Sequence, residues 1–237
     1  MLGVSRGSLK WLGAELVVVV LGILIAFQIE EWRSDLAERD RVAEALAAIL
    51  ADLEIGEREY DAWLEAVSAA KAETGAFLQL LWNSEEITEP DLSSHLQMRN
   101  YRMRHWAPTA TAFNGARDNG DFAAINDVAL QQSLVYYFDV LENFLLERRH
   151  MEHKYRGDFI GLLHEEVVIV PDASFLTSDN YSSRLQSSVS EFRNNKRLNN
   201  ALVMYHRILG DQVARIQFGK KTLNSLRDRI EQHLSSI

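Results

Sequence analysis

"WLGAELVVVVLGILIAFQIEEW", residues 11 to 32, decides how the rest of the chain is read. From Trp11 to Ile29 it runs for 19 residues, interrupted only by Glu15 and Gln28. As a helix rising ~1.5 Å per residue it would extend roughly 28 Å, close to the thickness of a bilayer's hydrocarbon. Trp11 and Trp32 bracket it where interfacial aromatics would sit. A cleaved leader needs small residues just before its cut. Here the run ends in Leu24, Ile25, Ala26 and Phe27 with no such pattern, so a retained transmembrane anchor at 11–29 is expected.

The flanks set the direction. Arg6 and Lys10 precede the run, whereas Glu30, Glu31, Arg33, Asp35 and Glu38 follow it. Basic flanks stay in the cytoplasm. The expectation is a short cytoplasmic segment (1–10), the anchor (11–29) and an extracytoplasmic body (30–237). Within the anchor, Glu15, Val19, Gly22, Ala26 and Ile29 follow one another at four, three, four and three, and share one helix stripe. Gly22 and Ala26 form a small-xxx-small pair that admits a neighbouring helix. An acid inside a bilayer is costly without a partner, so the stripe points to a lateral membrane contact. A Glu15 that snorkels to the interface beside an incidental Gly22 is the other reading.

The stretch Gly13, Glu15, Gly22–Ala26, Gln28, Ile29 and Trp32 resembles the opening of a widespread family of bacterial single-pass membrane proteins of no established activity. In that family a Gly-Glu pair, an apolar run and a Gln-Ile…Trp ending lead into a charged helix. Here Ala14 separates the pair. Residues 111–138, "TAFNGARDNGDFAAINDVALQQSLVYYF", are similar to its internal segment, with Ala116 and Asn119 where Leu and Ser are usual. The resemblance implies a single-pass inner-membrane protein with a helical outer domain, and supplies no catalytic residues.

Beyond Trp32 the pattern is a heptad. Val42, Leu46, Ile49, Leu53, Gly56, Tyr60, Trp63, Val67, Ala70, Thr74, Phe77 and Leu81 alternate four and three apart, and ten of the twelve are apolar. This predicts a long helix with one buried seam, facing its own bundle rather than another chain's coiled coil. Gly56 and Gly75 are weak points, and a single helix from Trp11 to Trp82 would reach ~108 Å, so at least one break is expected. Thr88, Pro90 and Asp91 begin a second helix running to about His105. A short helix from Thr109 or Thr111 stops near Gly120, and Asn126 caps a long one reaching about Glu166. "VVIVP" reads as a short strand or an extended exit. Residues 171–190 read as a surface loop. A last helix, about Lys196 to Leu234, closes the bundle. The fold expected is all-α: one transmembrane helix extending into an antiparallel helical bundle.

Chemistry is scarce. The 237 residues carry a formal net charge of −9, and residues 30–237 carry 23 basic against 33 acidic side chains, which argues against nucleic acid. The lack of cysteine removes disulfides and thiolate metal sites. Glu147, His150 and His153 have metal-like spacing, but Arg148, Arg149, Lys154 and Arg156 surround them, so a solvated face is favoured. His164 beside Glu165 and Glu166 reads as an acidic helix end. No phosphate-cradling loop, nucleophile elbow or zinc helix motif is present. Of Trp63, Trp82, Trp106, Tyr136, Tyr137, Phe138 and Phe144, most should be core, with one of the adjacent tyrosines outside. The function expected is a non-catalytic accessory subunit of a larger membrane assembly, without cofactor or evident small-molecule substrate. Its partners would be other integral membrane subunits and the lipid bilayer. The alternative is a membrane-anchored ligand-sensing module.

Overall fold

The computed structural model describes the backbone of residues 6–84, 86–95, 109–151, 157–171, 181–186 and 188–236. Within these, side chains are described from Glu15 onward, except at 93–94, 148–149, 151, 157, 168–171 and 181–184. The expected course of the second helix beyond His95, and Trp106 with it, lies outside the described residues.

Helix α1 spans Arg6–Asn83 without interruption, 78 residues and about 117 Å. The expected break is absent. A Cβ on Gly56 would lie 3.3 Å from Leu223 Cδ1, and one on Gly75 would lie 3.2 Å from His206 Cε1. Both mark places where another helix comes close to α1, and the helix runs through both without interruption. The heptad seam is buried as its spacing predicts. Eleven of its twelve positions are closed to solvent and Ala70 is half-buried.

The partner helix comes from the other end of the chain. Helices α2 (Glu89–His95), α3 (Thr111–Asp118), α4 (Val128–Met151) and α5 (Gly157–Glu166) follow α1. Strands β1 (Val167–Pro171) and β2 (Tyr181–Leu185), then α6 (Val189–Asn194) and α7 (Lys196–Leu234), complete the order. In α7 the buried residues Leu198, Leu202, Tyr205, Leu209, Gln212, Ile216, Gly219, Leu223, Leu226 and Ile230 repeat four and three apart. Gly56 meets Leu223, Tyr60 meets Gly219 and Gly75 meets His206, so the numbers rise along α1 as they fall along α7. The two helices form an antiparallel, coiled-coil-like pair within one chain.

Helix α4 adds a third layer through Leu130, Leu134, Tyr137 and Leu141, all buried. Phe144 meets Trp63 edge-on, with ring centroids 5.3 Å apart. Its cap is Asp127, whose Oδ1 accepts from Leu130 N at 3.0 Å, one residue beyond the expected Asn126. Helix α3 has no side-chain cap of its own. Asp52 of α1 accepts from Ala112 N at 2.9 Å instead, which ties the short helix to the long one. Gly120 takes the left-handed conformation after α3, with φ 85°, as its place in "DNGD" predicts.

The far end of the bundle departs from the sequence reading. The "VVIVP" segment is a strand, paired antiparallel with β2 from Val167 opposite Leu185 to Pro171 opposite Tyr181. The stretch expected as a loop over 171–190 therefore contributes β2 and the start of α6, while 172–180 lies outside the described residues. Ser188 and Glu191 close a capping box on α6, and Asn195 caps α7 by accepting from Leu198 N at 3.1 Å. The fold is helical, with this one two-stranded ribbon among the described residues.

Candidate functional site

Packing against the rest of the chain begins at Val42. Every described residue from Glu15 to Arg41 is exposed. The helix end Leu234 lies close to this level, since α7 runs antiparallel to α1. A groove at the same end of the bundle is lined by Asp35, Glu38, Val42 and His233. Below it α1 continues alone. Residues 30–41 form an exposed, charge-rich stalk about 18 Å long, whose Asp35, Glu38 and Arg39 edge that groove. Residues 16–29 are apolar on every face apart from Gln28, with Leu16 at 65% exposure and Phe27 at 69%.

The sequence-predicted stripe lies in this segment. Glu15, Val19, Gly22, Ala26 and Ile29 are all exposed, and a Cβ on Gly22 would find no atom within 4 Å. The stripe is unpartnered within the chain, and so are the other faces of the same turns. Trp32 is exposed at the foot of the stalk. Trp11 is on the helical backbone of α1, but its side chain lies outside the described residues.

Among the described residues, no helix is long and apolar enough to cross a membrane. From Leu16 to Ile29 there are 14 residues between the carboxylates of Glu15 and Glu30, about 21 Å against the ~30 Å of a bilayer core. The rest of the expected 11–29 span falls on side chains outside those described.

The polar candidates are dispersed. Arg215 grips Glu147 through both guanidinium nitrogens, with Nη2 3.0 Å from Oε1. That occupies the carboxylate a metal would need. His150 is exposed, and His153 lies outside the described residues. No group of three metal-ligating side chains occurs among the described residues. His164 and Glu165 point to solvent, whereas Glu166 accepts from Asn195 Nδ2 at 2.6 Å and fastens the start of α7.

Among the described residues three tyrosines are deeply buried, Tyr60, Tyr137 and Tyr205, and the first two hydrogen-bond to each other. Burial pushes Tyr60 up to about 12, and Tyr137 rises too, by burial and by its bond to Tyr60. This pair sits inside the core, where it joins α1 to α4 and rests on Gly219 of α7. Its role is architectural. Tyr136, one position earlier, is 54% exposed, as two adjacent tyrosines on a helix require.

Sequence reasoning missed the stalk, because it placed the body's start at residue 30. The available signal was the lack of a recurring apolar stripe between Trp32 and Val42, where Leu36 is the one large apolar residue. What fold and surface define together is a helical bundle carried on a protruding, apolar-tipped helix. No protein-family model, curated protein or solved structure matches the chain.

Proposed function

We propose that the chain is a membrane-anchored accessory subunit: α1 enters the bilayer through residues 11–29, and the bundle stands above it to contact a larger membrane assembly. One observation carries this reading, the exposure of α1 on all sides over residues 16–29. Eleven large apolar side chains are exposed there. At ~1.5–3 kcal/mol for each one buried, leaving them in water forgoes roughly 15–30 kcal/mol. That free energy is available to whatever covers the segment, lipid or another protein.

A helix that is apolar all round suits lipid, whereas a groove-seated helix has one apolar stripe. Residues 11–14 extend the run to the 19 that a bilayer needs. Arg6 and Lys10 on one flank, against Glu30 and Glu31 on the other, favour a bundle outside the cytoplasm. Gly13, Glu15, Gly22–Ala26, Gln28, Ile29 and Trp32 resemble the opening of the bacterial single-pass family, and we take the chain to be a relative of it. Within the bilayer, Glu15, Val19, Gly22, Ala26 and Ile29 are the face offered to another subunit's helix.

The test is extraction from native membranes in mild detergent, followed by a native gel and mass spectrometry of the band. Comigration with named integral membrane proteins supports the subunit reading. The double variant Glu15→Leu, Gly22→Leu should remain in the membrane and lose those neighbours. A small, solitary species would sink the proposal, and unchanged comigration of the variant would remove the stripe from it.

A further inference from the structure

Between α4 and α7 an open groove of about 590 Å³ runs along the bundle. Ala129, Ser133 and Tyr136 line it from α4; Phe218, Lys221 and Arg229 line it from α7. Three features set it apart from the rest of the surface. Its two rings are half exposed, Tyr136 at 54% and Phe218 at 51%, each next in the chain to a buried seam residue, Tyr137 and Gly219. The described lining residues include no carboxylate, in a chain with a formal charge of −9. Its two cations are placed for use. Arg229 is steadied through one nitrogen by Ser133 Oγ at 3.0 Å and Ala129 O at 3.4 Å. Lys221 has no carboxylate partner among the described residues.

The groove's shape suits a helix. Its α4 residues follow at four and three, and its α7 residues extend from 218 to 229, about 16 Å or three turns. Two antiparallel helices with such rows leave a valley for a third. Apolar rings along the floor with cations beside them would take a helix with apolar anchors on one face and Asp or Glu at its edges.

We propose that this groove docks an acidic amphipathic helix of the partner subunit, a step that rests on the accessory-subunit reading. A second copy of this chain is the weaker occupant. Standing in the same membrane, it would bring its own α1 to the groove at the level where Tyr60 meets Gly219. Of the carboxylates near that level, Glu57 and Asp61 are already bound to Arg227 and Lys220 at 2.6 and 2.5 Å, so α1 would bring only part of its acidic edge, Glu54 and Glu59, to the groove.

The experiment uses the full chain in native membranes, with photoreactive benzoylphenylalanine in place of Tyr136 or of Phe218. The same probe in place of Trp82, exposed at the end of α1, is the control. Expected are crosslinks from 136 and 218, but not 82, to one acidic amphipathic stretch of another membrane protein, read by peptide sequencing. Lys221→Glu should lower the crosslink yield at least tenfold with the melting temperature unchanged. Crosslinks to a second copy or to a non-acidic stretch would overturn the proposal. So would yields no higher than the control, or yields indifferent to charge reversal. Alkaline carbonate washing of the same membranes separates the two readings. Release of the protein with the crosslink intact defeats the anchor and spares the groove, whereas a retained protein with no crosslink defeats the groove alone.

Discussion

Gly219 of α7 has a neighbour that leaves no room for a side chain. A Cβ there would lie 2.6 Å from the Tyr60 hydroxyl oxygen and 2.9 Å from two of its ring carbons. Replacing a helical glycine by alanine ordinarily gains up to ~1 kcal/mol of helix propensity. Here overpacking against a buried ring should cost more, so Gly219→Ala is expected to destabilise the bundle by about 1–3 kcal/mol in denaturant unfolding. Gly56→Ala, whose Cβ would meet a flexible Leu223 methyl at 3.3 Å, should stay within ~1 kcal/mol of the parent. Tyr60 adds a pH signature. Its folded value of about 12 lies above the ordinary 10, so folding favours the protonated phenol. Its contribution is complete below pH 10 and is lost as pH rises toward 12, because the unfolded chain ionises first. Unfolding midpoints measured between pH 9 and 12 should fall across that window, and Tyr60→Phe should flatten the fall. Sequence alone marked Tyr60 as a seam residue; the phenol's partner in α4 and its glycine seat in α7 required the packed helices.

At the scale of the element, α1 is one helix under two regimes. From Val42 onward eleven of the twelve seam residues are buried in the bundle, and Leu53 is 2% exposed. Leu53→Ala should therefore cost about 2–5 kcal/mol. Leu36 is in the stalk at 48% exposure. Proline at 36 breaks the local helix but makes an acceptable first residue for the helix that continues into the bundle. Leu36→Pro should leave the bundle's melting temperature within a few degrees of the parent, and a drop as large as that of Leu53→Ala would show that the stalk is part of the cooperative unit. The heptad was legible because a 3.5-residue period needs only local spacing. The lack of a break was not, since whether a glycine bends a helix depends on what lies against it.

For the whole molecule, antiparallel pairing of α1 with α7 puts the chain's last described helix back beside the stalk. Leu234 ends near the level of Val42, about 20 Å beyond Ile29. On the proposed orientation, a reporter fused after Ile237 would sit outside the cytoplasm, close to the membrane. Alkaline phosphatase there should be active and a fluorescent protein that matures only in the cytoplasm dark; the reverse pattern would overturn the charge argument built on Arg6, Lys10, Glu30 and Glu31.

The sequence by itself determined the helical class, the apolar tip of α1, the seam positions and most helix ends, because hydrophobic period, capping side chains and Gly120 act within a few residues of chain. It misplaced the cap of α4 by one residue and read β2 as loop, where strand pairing with Val167–Pro171 is a contact between segments. Only the tertiary structure decided which helix closes the seam, where packing stops and the stalk begins, and that Tyr136, Phe218, Lys221 and Arg229 share one groove. Those facts depend on residues from opposite ends of the chain meeting in an antiparallel register, and no local spacing encodes that register.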